Sequence, residues 1–358
     1  MPCRSAVIYC DEFLKYDLGE FHPFKPWRCK RMIDILKEKE VFKREGLRLI
    51  EKFPVNEKLL ELIHDRSYID FVKAKSKEGR GYLDYGDTPA TRGIFKGALY
   101  RACASIYCGQ LVFEGEVLHA FNPGGGFHHA GSNYAAGFCV FNDVALTVRF
   151  MQEKYRIERI AVVDIDGHHG DGTQRIFYDE PILTISFHRY GGYFYPGSGW
   201  MDEIGEGEGK GYSVNVPLPA GTGDDAFIYS FDEIVPPLLK SYRPEVIVVQ
   251  FGADGYYTDH LVGLALTTHT YEHVARRLHM LSHELCSGRL VMTGGGGYSA
   301  EDAARIWALA FMIIADLPSD MFNDLRDDFK TTSSNYILET VRRRVERIKS
   351  LIFPYHNI

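Results

Sequence analysis

The stretch "IAVVDIDGHHGDGTQ", residues 160–174, begins with β-branched apolar residues and ends in a dense group of carboxylates and imidazoles. An uninterrupted apolar run is typical of a strand covered on both faces, as in a parallel sheet between helical layers. Helical patterns separate it from the other strand-like runs, so the sequence predicts one three-layer α/β/α domain with a mostly parallel sheet. Those other runs are residues 6–10, 117–122, 182–188, 245–254 and 290–297.

Capping residues mark the start of two predicted helices. Thr88 is expected to cap a helix with Pro89 at its first position, and Ser299 stands in capping-box spacing with Asp302. The domain is predicted to span residues 1–358, with residues 320–358 as a helical extension packed on it. The predicted helices cover residues 89–111, 143–154, 224–240, 270–286, 300–317 and 341–352.

The composition limits the possible functions. With 45% hydrophobic and 25% charged residues among 358, the chain is expected to bury a substantial core. A formal net charge of −7 argues against a phosphate-binding surface, and the arginines of 341–352 are interpreted as the solvent face of a helix, so no nucleic-acid partner is expected. No stretch reaches about eighteen uninterrupted apolar residues, and we expect neither a signal sequence nor a membrane contact. Seven cysteines without a Cys-x-x-Cys pair fit a reducing compartment, hence a cytoplasmic protein.

Three residues at predicted strand ends are candidate metal ligands. Asp166 and His168 stand two positions apart at the end of one strand, so extended backbone points both side chains to the same side. Asp254 ends another strand and supplies the third donor that a catalytic zinc site needs, with one position left open for water. A lone aspartate more commonly caps a turn. The crowding of Asp164, Asp166 and Asp171, however, favours a cation among them.

Adjacent histidines follow a glycine-rich turn in "NPGGGFHHAG", residues 122–131. An isolated histidine pair is more often a surface feature. Beside a metal-bound water, however, His128 and His129 supply a general acid and base near neutral pH. Asp164 and Asp171 are then candidate partners that orient one imidazole each.

A second glycine-rich stretch, "TGGGGYS" at residues 293–299, places Tyr298 at a strand end. Its hydroxyl is a candidate donor to an oxyanion, with simple packing as the alternative. Two other motifs are interpreted as non-functional. "GEGEGKG", residues 205–211, lacks key positions of a phosphate loop, and His279 and His283 lack the glutamate of a zincin motif and are expected to be solvated.

Seven motifs occur in one order along the chain: "GGGFHHAG", "GFCVFND", "DIDGHHGDGTQ", "ISFH", "FYPGSG", "GAD" and "GGGGY". Together they resemble the zinc-dependent histone deacetylase superfamily, most closely its prokaryotic acetoin-utilisation type. The resemblance runs from about residue 20 to about residue 304. It implies an arginase/deacetylase fold with an eight-stranded parallel sheet, and removal of acetyl groups from acetyl-lysine side chains of a protein or peptide partner, with release of acetate.

The resemblance also implies a role for each candidate. Asp166, His168 and Asp254 match the zinc ligands. The remaining catalytic matches are His128 and His129 as the histidine pair, Asp164 and Asp171 as their carboxylate partners, and Tyr298 as the transition-state tyrosine.

Further positions match the substrate-binding and potassium-binding residues of that superfamily. The tunnel for acyl-lysine matches Gly137, Phe138 and Tyr195, with Leu261 at its rim and Asp87 as a contact to the substrate backbone. A structural potassium ion is implied near Asp164, Asp166 and backbone oxygens around His168, Ser186 and Phe187.

Three positions depart from the family pattern: Tyr195 replaces a phenylalanine, Gly167 a larger apolar residue, and His260 a proline. None is a candidate metal ligand, so the departures concern acyl and peptide preference. Two carboxylates and one imidazole also suit ferrous iron as an alternative to zinc. The alternatives are an acetylpolyamine amidohydrolase, a non-catalytic acyl-lysine-binding module, and a binuclear ureohydrolase, which a metal count near two per chain would favour.

Overall fold

The computed structural model describes residues 4–358. The strands of this region are β1 (Ser5–Ile8), β2 (Leu47–Ile50), β3 (His119–Asn122), β4 (Ile160–Asp164), β5 (Leu183–Arg189), β6 (Ser213–Leu218), β7 (Val246–Gln250) and β8 (Leu290–Thr293). They form one eight-stranded sheet in the order β2-β1-β3-β8-β7-β4-β5-β6, and every pairing is parallel. The predicted fold class is confirmed.

Helices surround this sheet. They are α1 (Arg28–Glu38), α2 (Arg66–Glu78), α3 (Ile94–Phe113), α4 (Asp143–Tyr155), α5 (Asp171–Ile176), α6 (Asp224–Tyr242), α7 (Thr268–Cys286), α8 (Ala300–Ile314) and α9 (Asn335–Ile352). Five predicted helices match α4, α6, α7, α8 and α9 closely, and α4 is capped by the Asn142 side chain, which accepts from Ala145 N at 2.9 Å.

The strands that hydrophobic runs predict are those in the interior of the sheet. β4 and β7 are buried along their whole length, which explains their unbroken apolar sequences. The two strands that no such run predicts form the edges: β2 is only partly buried after its first residue, and β6 contains Pro217. Proline is tolerated at an edge because a missing backbone N–H there breaks fewer sheet hydrogen bonds.

The predicted start of α3 is wrong. Thr88 and Pro89 lie in the preceding loop, where Thr88 Oγ1 donates to Asp84 and Pro89 bridges Tyr82, and the helix begins only after Gly93. The chain instead turns at Gly93, whose φ of +89° suits glycine. At α8, Ser299 is the N-cap, but its hydroxyl donates to the Asp302 carboxylate at 2.6 Å rather than making a capping box.

The C-terminal helix α9 packs on α6 and β6. Its buried residues are the four apolar positions that the periodicity predicts, Val341, Val345, Ile348 and Ile352. Arg344 departs from the predicted solvent face: it donates to the Pro217 carbonyl at 2.9 Å.

The histidines of α7 differ from prediction. The apolar stripe of this helix is buried as expected, and His283 is exposed, but His279 is half-buried. Both rings contact the ring of the buried His119 at the start of β3, because they project from the flank of the stripe toward that strand. The segment 205–211 is a loop with one short 3-10 turn, as predicted.

Candidate active site

Four loops meet at one edge of the sheet. They follow the central strands β3, β8, β7 and β4, which lie side by side. Because parallel strands end at the same edge, segments that are distant in sequence converge there. The loops span residues 122–129, 293–299, 250–254 and 164–171.

The three candidate metal ligands lie together in the structure. One ligand atom from each of Asp166, His168 and Asp254 lies within 4.8 Å of the other two, and all three side chains are buried. His168 Nδ1 lies 2.8 Å from Asp254 Oδ2 and 3.3 Å from Asp166 Oδ1. The arrangement offers two oxygens and one nitrogen to a single point.

Protein groups hold the other carboxylate oxygens of this cluster. Gln250 Nε2 donates to Asp166 Oδ2 at 2.7 Å, and Gly167 N donates to Asp254 Oδ1 at 2.7 Å. Such hydrogen bonds fix the orientation of a metal ligand. Gln250 is not among the predicted site residues. The polar side chain at the end of the apolar run "VIVVQ" is the feature that could have indicated it.

The buried charges of Asp166, Asp254 and His168 favour a bound cation. Burial and repulsion from Asp166 raise the pKa of Asp254 to about 7. Burial also lowers the pKa of His168, but hydrogen bonds and attraction from Asp166 and Asp254 outweigh it and raise the value to about 10. Two buried carboxylates thus compete for one imidazolium, and a divalent ion at the same point satisfies both.

Each histidine of the adjacent pair is oriented by its own carboxylate. His128 Nδ1 donates to Asp164 Oδ2 at 2.7 Å, and His129 Nδ1 donates to Asp171 Oδ1 at 2.6 Å. The two Nε2 atoms face each other at 3.1 Å. Since both Nδ1 atoms carry a proton, this contact is favourable only when one proton lies between the two Nε2 atoms.

The pKa values of the two imidazoles diverge accordingly. Burial lowers the pKa of His128, but Asp164 and Asp166 outweigh it and raise the value to about 9. Burial and repulsion from His128 lower the pKa of His129 to about 4. The pair therefore holds one transferable proton, which is the property of a general acid–base unit.

Tyr298 lies across the cluster from this pair. Its ring centroid is 6.3 Å from that of His168. Burial and repulsion from Asp254 and Asp166 raise the pKa of the phenol well above its usual range, so the hydroxyl remains a donor at neutral pH. Tyr298 N donates to Asp259 Oδ2 at 2.8 Å, which anchors the residue.

Arg28, from helix α1, hydrogen-bonds to the loop that carries Tyr298. It is 2% exposed and donates to the carbonyls of Gly297 at 2.8 Å and Gly295 at 2.6 Å. Its guanidinium also lies 4.4 Å from the centroid of the Phe24 ring and 5.0 Å from that of Trp307. No feature of the sequence around Arg28 indicated this role, because the contact depends on how α1 packs.

A narrow cavity leads to the cluster. It encloses about 310 Å³, its open mouth included. Phe138 presents its ring edge-on to Tyr298 at 5.9 Å between centroids, and Tyr195 does the same to His129 at 5.1 Å. The lining includes Phe24, Arg28, His128, His129, Gly137, Phe138, Asp166 and Tyr298.

Gly137 is a position in this wall where a side chain does not fit. A Cβ atom there would lie 2.5 Å from His129 Cδ2 and 2.9 Å from Tyr195 Cε1, and its φ is +52°. Gly137→Ala is therefore expected to displace His129 and to lower kcat about 10²-fold, the usual cost of a misplacement near 1 Å.

The matched control for this substitution is Gly207→Ala. Gly207 has the same φ of +52° but no atom within 4 Å of its hypothetical Cβ. Both variants bear the backbone strain, about 1–2 kcal/mol, so Gly207→Ala measures that cost alone in thermal melting. Steady-state kinetics should then show a loss of turnover only in Gly137→Ala. Equal turnover in the two variants would contradict a steric role for Gly137.

Of the two residues predicted at the rim, the structure places Asp87 beside the cavity. Asp87 is exposed and lines a shallow depression together with Gly137 and Tyr195. Burial and the neighbouring Asp84 raise the pKa of Asp87 to about 7. Leu261 is half-buried, and its N–H donates to Asp259 Oδ1 at 2.9 Å, the carboxylate that also anchors Tyr298.

Two of the residues matched to a potassium site, Asp164 and Ser186, lie next to each other on β4 and β5. Asp164 pairs with Ser186 in the sheet, and both line a small buried cavity. Asp164 Oδ1 accepts from Asp166 N at 3.0 Å. The Phe187 ring packs on Phe227 at 5.3 Å between centroids, so Phe187 offers only its backbone.

Fold and site together define a class: a parallel α/β protein with a carboxylate-rich group of candidate metal ligands, a histidine pair and a tyrosine at the strand ends. The histone deacetylase domain family matches residues 22–314. The chain belongs to this family, and with it to the hydrolases that act on amides.

Individual relatives support the assignment. A probable deacetylase of Archaeoglobus fulgidus is 37% identical over 99% of this chain and 95% of its own length. Acetoin utilization protein AcuC of Bacillus subtilis is 36% identical over 85% of this chain and 80% of its own length. The crystal structure of the HDA15 HD domain superposes with a TM-score of 0.85 at 27% identity, over 99% of this chain and 96% of that one. The predicted likeness to acetoin-utilisation deacetylases is confirmed.

Among residues 4–358, no helix has the length and apolar character needed to cross a membrane. The six cysteines of this region, Cys10, Cys29, Cys103, Cys108, Cys139 and Cys286, are free and buried.

Proposed function

We propose that the protein is a zinc-dependent lysine deacetylase that removes acetyl groups from acetyl-lysine side chains of a protein or peptide and releases acetate. The observation that supports this most directly is the convergence in one cavity of the metal cluster, the histidine pair and Tyr298. A module that only bound acyl-lysine would need neither an acid–base pair nor an oxyanion donor. The free cysteines fit a cytoplasmic location.

The donor set fits a divalent metal. Asp166, His168 and Asp254 would hold it, and two carboxylates with one imidazole suit zinc, with ferrous iron as the alternative in the cell. When bound, such an ion supplies Lewis acidity to the scissile carbonyl and makes a bound water more acidic. A potassium ion near Asp164 and Ser186 is proposed on the family likeness and on the cavity that both residues line.

The chain's own residues then perform the proton transfers. His128 faces the cluster, with Nε2 3.8 Å from Asp166 Oδ1. In the form that lacks the proton shared between the two Nε2 atoms, the pair accepts a proton from the attacking water at that nitrogen. Tyr298 donates its O–H to the oxygen that becomes negative as the carbonyl carbon turns tetrahedral. The protonated pair returns the proton to the amine nitrogen as the C–N bond breaks, leaving acetate and a free amine.

The cavity shape favours a long, thin and neutral side chain. Phe138 lines its wall and Tyr195 lines the adjoining depression, and a narrow passage between aromatic rings contacts the methylene chain of acetyl-lysine. Asp87 at the rim is available as an acceptor for backbone N–H groups of a peptide.

The assay that tests this proposal measures acetate release from an acetyl-lysine peptide. Metal-free protein should be inactive, zinc-reconstituted protein active, and a hydroxamate should abolish the activity. Acetylputrescine is the matched competing substrate. Higher kcat/KM on acetylputrescine than on the peptide would replace the protein substrate by a polyamine, and zinc-independent release would contradict the metal assignment.

A further inference from the structure

Three histidines outside the active site form a second group of nitrogen donors. His119 begins β3, and His279 and His283 lie one turn apart on α7. One ring nitrogen from each lies within 4.8 Å of the other two, and the Nε2 atoms of His279 and His283 are 3.0 Å apart. The three side chains therefore direct nitrogen atoms toward one region, as the ligands of the active site do with their donor atoms.

The ring geometry is that of ligands around a centre. The centroids of His119 lie 4.9 Å from His279 and 5.2 Å from His283, and the latter two are 4.7 Å apart. All three pairs are nearly perpendicular, with interplanar angles of 88°, 86° and 83°, so no two rings stack. Two imidazole nitrogens on a tetrahedral zinc at about 2.05 Å are about 3.3 Å apart, close to the observed 3.0 Å.

The fold holds these rings from both sides. His119 is fully buried and pairs with Leu290 in the sheet. The turn after α7 brings Gly288 under His283, where a Cβ atom would lie 3.0 Å from the Cε1 atom of that ring. The site thus combines a rigid strand donor with two helix donors at the i and i+4 spacing, which places side chains on one helix face.

Charge and access also suit a cation. The carboxylate of the exposed Asp316 attracts a positive charge at His279. His283 is exposed, which gives an ion a path from solvent.

We propose that His119, His279 and His283 form a second metal site, which binds one borderline divalent transition metal, such as zinc, through three imidazoles and joins α7 to β3. Imidazole donors favour zinc, copper and nickel over magnesium or calcium. Its all-nitrogen donor set differs from the two-carboxylate set of the active site. His119 is the first residue of β3, whereas the active site lies beyond the opposite, carboxyl ends of the strands.

The test counts zinc in the whole protein. Zinc-saturated protein is passed through a desalting column, and bound zinc is determined by elemental analysis, with thermal melting in parallel. We expect two equivalents in the unaltered protein and one in His279→Ala and in His283→Ala, with deacetylase turnover unchanged in both variants. The second equivalent should raise the melting temperature only when all three histidines are present.

The control is His269→Ala, which removes a histidine from the first turn of the same helix, outside the cluster. It should retain two equivalents. A single equivalent in the unaltered protein, or two in His283→Ala, would overturn the proposal. The same count separates this site from a binuclear active centre, because a binuclear centre would keep both ions in His283→Ala.

Discussion

Tyr298→Phe is expected to lower kcat by about 10²–10³-fold, the usual cost of losing one oxyanion donor. The substitution removes only the hydroxyl and leaves the ring beside Phe138 and the backbone bond to Asp259. Zinc should remain bound, because Tyr298 is not one of the clustered ligands. Single-turnover kinetics on an acetyl-lysine peptide, with zinc content measured on the same sample, provides the test.

Tyr193→Phe is the matched control, because Tyr193 is fully exposed and is not among the residues that line the cavity. It should behave as the unaltered protein does. Near-normal turnover in Tyr298→Phe would remove the oxyanion role from this residue. Loss of turnover together with loss of zinc would assign it a structural role instead.

The predicted metal ligands, histidine pair and tyrosine all lie in loops that follow interior strands, whereas the predicted substrate-binding residues lie elsewhere in the chain. Asp166, His168 and Asp254 follow β4 and β7, whose unbroken apolar runs are easily recognised. Because parallel strands end together, a list of polar residues at strand ends is nearly a list of neighbours. The same argument placed His128, His129 and Tyr298.

Residues that reach the site from elsewhere were not predictable in this way. Arg28 lies on α1, and its partners Gly295 and Gly297 are more than 260 positions away in the chain. The contact depends on the packing of a helix against a loop, which no local pattern encodes. The grouping of His119 with His279 and His283 was not predictable for a related reason. Helical spacing links His279 to His283, but only the tertiary fold brings β3 beside them.

Helix-capping rules also gave a wrong prediction where tertiary hydrogen bonds determine the local structure. Thr88 and Pro89 have the sequence of a helix start, yet Thr88 bonds to Asp84 and its hydroxyl accepts from Phe138 N at 3.1 Å. The residues that would have begun a helix instead support the cavity wall. Thr88 and Pro89, which do not begin a helix as their sequence predicts, thus lie beside Phe138 of the proposed substrate-binding region.

Asp254→Asn is expected to lower zinc affinity in the active site more than about a hundredfold, since losing even a hydrogen-bond partner of a metal ligand costs about 10–100-fold. The amide oxygen can still accept from Gly167 N, so the loop should keep its shape. An ion present at about a thousand times its dissociation constant stabilises a folded protein by about 4 kcal/mol. Titration calorimetry and zinc-dependent melting in a His283→Ala background should therefore both register the loss.

The control for this variant is Asp224→Asn, which alters another buried aspartate, one that bonds to Thr267 and Thr270 instead of the cluster. It should lower the stability of the fold but retain the zinc-induced shift in melting temperature, because His168 and both clustered carboxylates are intact. Asp254→Asn should show the reverse: no zinc-induced shift and no acetate release. If Asp254→Asn kept its zinc affinity, Asp254 would not be a ligand, and its pKa of about 7 would suit a proton-transfer group instead.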